Sequence, residues 1–148
     1  MNRMDPIFAP LRRSMLFAAL AVGALHPATA AQALDLTVAV TGARSAKGQV
    51  MAAVYDKAEG WTKTMLRGEA VAAGERVTLV FRQLPAGTYA VAVYHDENGN
   101  GRLDANVIGL PTEPYGFSRD AAGTQGAPKF ADAAMALQAD TTIHVKLQ

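Results

Sequence analysis

Cysteine is absent from the sequence, which excludes disulfide bonds, a cysteine nucleophile and a lipid-bearing cysteine. The hydrophobic core, or a bound ion, must therefore supply the stability of the folded chain. The sequence also has no Gly-x-Ser-x-Gly element and no His-Glu-x-x-His helix. These motifs mark common hydrolases, so their absence removes the familiar routes to catalysis.

Long runs of one charge are absent as well. The chain has 14 Lys and Arg against 13 Asp and Glu, but three of the Arg and one Asp lie in residues 1–30. Residues 31–148 therefore carry 11 basic against 12 acidic side chains and are close to neutral. Because no basic stripe remains to contact a phosphate backbone, we expect no nucleic-acid partner.

The apolar run near the N-terminus is too short to cross a bilayer. It extends from Met15 to Leu25, about eleven residues, whereas a membrane-spanning helix needs about twenty. Arginines precede this run, and Ala28-Thr29-Ala30 follows it with the small residues that a signal peptidase accepts. The segment 1–30 is therefore interpreted as a cleavable signal peptide and not as a membrane anchor.

The remaining segment, 31–148, is long enough for one domain with one core. Since the signal is removed, we expect an exported protein without a membrane span, located in the periplasm or outside the cell. Its partner would be an unknown ligand or a component of the cell envelope.

Period-two alternation of apolar and polar residues dominates this segment and is typical of half-buried strands. Turn residues such as Lys47-Gly48 and Pro85-Ala86-Gly87 separate the alternating runs. The pattern predicts an all-β fold, an antiparallel β-sandwich of about seven strands with one long ordered loop. The five clear strands are Leu36–Thr41, Gln49–Tyr55, Arg76–Arg82, Thr88–His95 and Thr141–Gln148.

Two regions interrupt the alternation. Residues 57–72 are expected to hold one or two short edge strands around Trp61 and Val71. Residues 96–140 are rich in Gly, Pro, Asn and Asp, and a loop of this length is usually functional or disordered. The aromatics Tyr115, Phe117 and Phe130 predict that it packs onto the sandwich.

The start of this loop has the oxygen spacing of an EF-hand-type calcium site. Counting from Asp96, side-chain oxygens fall at positions 1, 3, 5 and 9, a glycine falls at position 6, and the main-chain carbonyl of position 7 can point inward. Such hard oxygen ligands favour calcium over zinc or copper. The residues are Asp96, Asn98, Asn100, Asp104, Gly101 and Arg102.

The calcium pattern lacks its last ligand. Val107 stands at position 12, where a bidentate glutamate is expected, and Glu113 could fold back to replace it. The alternative is a polar turn, because Asn, Asp and Gly also build turns without any ion.

Two other functions use the same region. A small periplasmic enzyme could use His95 with Asp96, Asp104 and Glu113 as acid and base. A sugar- or peptide-binding module could instead stack its ligand on aromatic side chains. The aromatics in question are Tyr94, Tyr115, Phe117 and Trp61, and Asn106 and Ser118 are further candidate residues of the loop.

Four motifs together resemble the secreted bacterial family catalogued as domain of unknown function 2141. They are LPAGTY at 84–89, HDENGNGRLD at 95–104, GLPTEPYGFS at 109–118 and PKFADA at 128–133. The resemblance implies a prealbumin-like or immunoglobulin-like sandwich, related to bacterial surface modules of which some carry a similar calcium loop. Arg119-Asp120 departs from the family pattern, in which an asparagine is expected after Ser118.

The combined prediction is an exported, non-catalytic β-sandwich module. Its binding or interaction surface would be the loop 95–118, with calcium as a candidate ordering ion.

Overall fold

The structure, a computed structural model, describes residues 32–148. The predicted signal segment lies outside the described residues. The described part is formed almost entirely of strands, with a 3₁₀ turn at Ser118–Asp120 and a single helical turn α1 at Phe130–Ala133. The strands are β1 Ala33–Thr41, β2 Gln49–Tyr55, β3 Arg67–Ala72, β4 Arg76–Pro85, β5 Gly87–Asp96, β6 Tyr115–Phe117, β7 Met135–Leu137 and β8 Thr141–Lys146.

The strands form two sheets. The first has the order β4-β1-β8, and the second has the order β3-β2-β5-β6, with β7 pairing to the start of β5. All strand pairs are antiparallel except β1 and β8, which pair in parallel. Parallel neighbours need a long crossover, and nearly the whole sandwich lies between these two strands in the sequence. The predicted all-β sandwich is confirmed. The parallel pairing of β1 with β8 was not predicted.

The core between the sheets is built by the alternating residues. In β1 the side chains of Leu34, Leu36, Val38 and Val40 point inward, and their neighbours remain partly exposed. The inward faces of the other strands contribute in the same way, with Phe81 at 0% exposure in the centre. Each fully buried Val, Leu or Phe stabilises the fold by about 1.5–3 kcal/mol.

A second apolar cluster lies on the other side of the second sheet. Trp61 packs against Tyr55 and Phe117, with ring centroids 4.9 Å and 5.6 Å apart, and its indole N–H donates to the carbonyl of Pro128 at 2.7 Å. Phe130 of α1 completes the cluster at 5.9 Å from Trp61. The long segment after β5 therefore packs onto the sandwich, as its aromatics predict.

The irregular regions differ from the prediction in detail. An edge strand forms around Val71, but Trp61 lies in a turn and not in a strand. The segment 96–140 contains the short strands β6 and β7, which at three residues each are too brief to show a period. In residues 32–148 no helix is long and apolar enough to cross a membrane.

Candidate functional site

The predicted calcium-type loop occupies residues 97–114, between the end of β5 and the start of β6. Gly101 has a φ of +74°, a conformation that glycine adopts without strain. The turn between β1 and β2 approaches the loop closely, because a Cβ on Gly48 would clash with the carbonyl oxygen of Asp96. Both glycines are therefore required by the local backbone.

Asp96 is the internal anchor of the loop. Its Oδ1 accepts the N–H groups of Gly99 and Asn100 at 2.8 Å and 3.0 Å. Its Oδ2 accepts the N–H of Gly101 at 2.8 Å and the side-chain amide of Gln49 at 3.3 Å. Burial raises the pKa of this carboxyl, but the hydrogen bonds from Gly101, Gln49, Asn100 and Gly99 outweigh burial and lower it.

The other side chains of the predicted calcium site, those of Asn98, Asn100 and Asp104, meet at the surface of the loop. The side-chain amides of Asn98 and Asn100 donate to the two oxygens of Asp104 at 2.5 Å and 2.9 Å. Their own oxygens accept backbone N–H groups, from Asn100 and Arg102 respectively. Asp104 is half-buried and the two asparagines are exposed, so these three side chains face each other within reach of solvent.

Glu113 reaches the loop, although its carboxylate lies against the backbone. One oxygen accepts the N–H of Glu97 and the other accepts the N–H of Asp104, both at 2.9 Å. Glu113 is only 6% exposed, whereas Val107, at the position of the missing ligand, is fully exposed. Glu113 thus joins the two ends of the segment 97–104.

His95 is buried near the C-terminal end of β5, and both of its ring nitrogens have hydrogen-bond partners. Nδ1 accepts the N–H of Arg44 at 3.2 Å, and Nε2 lies 2.8 Å from the carbonyl of Lys47. These partners require Nε2 to carry the proton and donate, which fixes one tautomer. The imidazole therefore connects β5 to the β1–β2 turn.

Ser118 and Asn106 also hold backbone groups. The Ser118 hydroxyl accepts the N–H of Val91 at 2.9 Å and donates to the carbonyl of Ala133 at 2.6 Å. Asn106 Oδ1 accepts the N–H groups of Ile108 and Leu110 and closes the turn at the tip of the loop. Both side chains stabilise the local backbone.

A groove lies on the outer face of the second sheet. Ala53 of β2 and Ala92 of β5 are paired across the strands, and their small side chains leave space above them. Tyr94 and Tyr115, also paired, line the same cavity. The groove measures about 610 Å³, within the range of small-molecule sites.

Two loops form most of the remaining wall of this groove, and Gly126 and Ala127 complete it. Residues 62–65 contribute Thr62, Lys63 and Met65, and the loop 97–114 contributes residues between Gly101 and Pro111. The predicted aromatic residues Tyr115 and Phe117 line it too, whereas Trp61 is buried in the cluster beneath. The structure thus brings the predicted loop and its aromatics to one cavity.

The sequence prediction missed the floor and the 62–65 wall. A signal was present, because residues 89–94 of β5 (Tyr-Ala-Val-Ala-Val-Tyr) are apolar on both faces and not alternating. A strand that is apolar on both faces is covered on both faces. Ala90 is fully buried under the Trp61 cluster, whereas Ala92, at the edge of that cluster, is only partly buried and lines the groove.

The residues described do not include a group of three or more His, Cys, Asp or Glu side chains arranged to hold a metal ion. Any ion bound by the loop would therefore depend on the carboxamides of Asn98 and Asn100 and on main-chain oxygens. This chemistry suits a hard cation such as calcium.

Comparison with known proteins identifies a family. Residues 38–144 match the model of the family described as "Uncharacterized protein conserved in bacteria (DUF2141)". No curated protein and no solved structure matches the chain. The family match runs from β1 into β8, so it includes the loop 97–114 and the groove, and it confirms the resemblance inferred from the four motifs.

Proposed function

The chain belongs to the DUF2141 family, and from its own geometry we propose that it is a non-catalytic module that binds a ligand in the groove. The observation that carries this proposal is the open cavity of about 610 Å³ above Ala53 and Ala92. A sheet face with so much apolar surface is usually covered by the chain itself. Here a bound molecule would complete the cover.

The groups that an enzyme would use support a binding role instead. Both nitrogens of His95, the hydroxyl of Ser118 and the oxygens of Asp96 already hold backbone groups. A general base must have a free site within hydrogen-bond reach of its substrate. The carboxylate of Glu113 is occupied in the same way.

The floor of the groove, as distinct from its polar walls, favours the apolar body of a ligand over a sugar ring. A sugar ring carries hydroxyls that need partners when they leave water, and an unpaired buried hydroxyl costs about 1–3 kcal/mol. The floor offers the methyl groups of Ala53 and Ala92, with Met65 and Leu103 beside them. An apolar body on this floor gains the hydrophobic term without that cost.

Calcium belongs to the same proposal as an ordering ion of the loop 97–114. The support is that Asn98, Asn100 and Asp104 meet at one point and that Asp96 already organises the turn around it. The two amide N–H groups that now donate to Asp104 would have to turn away so that an ion could replace them.

Export is proposed from residues 1–30, and the protein isolated from the cell envelope should then begin at Ala31, as measured by intact mass.

Filling the groove tests the binding function. An uncharged apolar dye, N-phenyl-1-naphthylamine, should bind the protein saturably, with one dye per chain. Ala92→Leu and Ala127→Trp place bulk in the groove and should abolish dye binding. Ala39→Leu, on the half-buried outer side of the central strand of the other sheet, is the matched control and should retain it.

Equal dye binding by Ala92→Leu, Ala127→Trp and the control would contradict the proposal, because it would show that the dye binds outside the groove. Far-UV circular dichroism of each variant shows whether the fold is retained, and Ala127 is exposed, so the second variant does not disturb the core.

A further inference from the structure

The exposed apolar side chains of the described chain are concentrated around the groove. All six large ones lie in residues 65–66 and 103–110. These two segments belong to the two loops that wall the groove, and Met65 and Leu103 line it directly. Single exposed apolar residues are ordinary, but a group of them at one cavity marks a binding surface. The six are Met65, Leu66, Leu103, Val107, Ile108 and Leu110.

The charges of the groove have one sign. Its charged lining residues are Lys63 and Arg102, one from each loop, and its lining includes no Asp or Glu. The ion pairs found within residues 32–148 are Arg44–Glu97 and Arg82–Asp35, so neither lining cation is neutralised by an ion pair. A protein near neutrality overall thus presents two cations at an apolar cavity.

Hydrogen-bond donors accompany these cations. Tyr94 and Tyr115 place phenol rings in the groove. A phenol hydroxyl can donate a hydrogen bond to an anion that enters the groove. The site therefore combines an apolar trough with groups that attract and hydrogen-bond an anion.

We propose that the groove binds a free fatty acid, with the acyl chain on the Ala53–Ala92 floor and the carboxylate drawn to Lys63 and Arg102. This inference rests on the proposed binding function and adds the class of its ligand. The apolar floor accounts for the chain, and the two lining cations account for the acid. A carboxylate accepts hydrogen bonds from ammonium, guanidinium and phenol groups alike.

Calorimetric titration with dodecanoate and with dodecanol separates the head group from the chain. We expect saturable binding of dodecanoate below its micelle concentration, and weaker binding of dodecanol. The double variant Lys63→Gln with Arg102→Gln should weaken dodecanoate binding about twofold to thirtyfold, since each exposed charge contributes about 0.2–1 kcal/mol. Its affinity for dodecanol should not change.

The matched control removes two exposed cations outside the groove. Lys57→Gln with Arg76→Gln makes the same change in net charge and should bind dodecanoate as the native protein does. Ala92→Leu should weaken dodecanoate and dodecanol together, because it removes the space that both chains use. The charge variants alter exposed side chains, so their fold should be preserved.

Different outcomes overturn different statements. If dodecanoate and dodecanol bind equally well and Ala92→Leu abolishes both, the fatty-acid inference is overturned and the proposed binding function stands. Dodecanoate binding that is insensitive to Ala92→Leu and to both charge variants overturns both. Binding to anionic phospholipid vesicles without any binding of monomeric dodecanoate also overturns the inference, because it indicates a membrane surface as the partner.

Discussion

At the scale of single residues, Arg119 and Asp120, where the family resemblance leads us to expect an asparagine, have an unusual backbone conformation. Both residues have positive φ, 62° and 50°, a region that L-residues rarely adopt. Among residues other than glycine, asparagine tolerates this region best, since its short side chain hydrogen-bonds locally. In this chain Asp120 has similar tolerance, and the guanidinium of Arg119 donates to the carbonyl of Ala134 at 3.0 Å.

The lowered pKa of Asp96 leads to a prediction on acid stability. The folded carboxyl has a pKa below its ordinary value of 3.8, so the unfolded chain binds the proton first as the pH falls. The stabilisation is complete above the ordinary pKa and is lost as the pH falls through the folded pKa. We expect the unfolding free energy of the native protein, measured by urea titration, to decrease below about pH 5. In Asp96→Asn the unfolding free energy should decrease less over the same pH range.

The control for this prediction is Asp132→Asn, which changes an exposed carboxylate on α1. It should keep the pH dependence of the native protein. The interpretation of Asp96 is wrong if native protein and Asp96→Asn lose stability in parallel between pH 5 and pH 3.

At the scale of elements, Glu113 holds the loop 97–114 closed. Glu113→Ala leaves the N–H groups of Glu97 and Asp104 without their acceptor, and a buried unpaired donor costs about 1–3 kcal/mol. We expect amide hydrogen exchange to accelerate between residues 97 and 104 while the core of β1 and β5 stays protected. Glu75→Ala, at an exposed site before β4, should change neither. Unchanged exchange in Glu113→Ala would show that the loop closes without this carboxylate.

The elements also show how far the sequence can predict this fold. The five clearly predicted strands follow from their apolar residues at every second position, because each strand buries one face against the core; in β5 the opposite face is apolar as well. β6 and β7 escape prediction because their positions are set by pairing with β5 and not by their own three residues. The spacing from Asp96 to Asp104 could predict which side chains gather on the loop, since Asp and Asn act on backbone only a few residues away. The groove could not be predicted in that way, because Ala53 and Ala92 meet only through long-range pairing.

At the scale of the whole molecule, the two sheets differ on their outer faces. The outer face of the first sheet carries exposed polar residues such as Thr78, Thr142 and His144. The outer face of the second is apolar, covered at one end by the Trp61 cluster and open at the groove. The loop 97–114 borders this opening, so any ion that orders the loop also orders a wall of the groove.

Calcium should therefore stabilise the whole fold if the loop binds it. A site of this type has a dissociation constant of about 10⁻⁴ to 10⁻³ M, so 5 mM calcium should add about 1–2 kcal/mol and raise Tm by several degrees. Melts in calcium and in EGTA measure this shift. Asp104→Asn removes the carboxylate at which Asn98 and Asn100 converge and should abolish the shift, whereas Asp132→Asn should retain it. Coincident melts of the native protein in calcium and EGTA would leave the loop as a turn held by Asp96 and Glu113 alone.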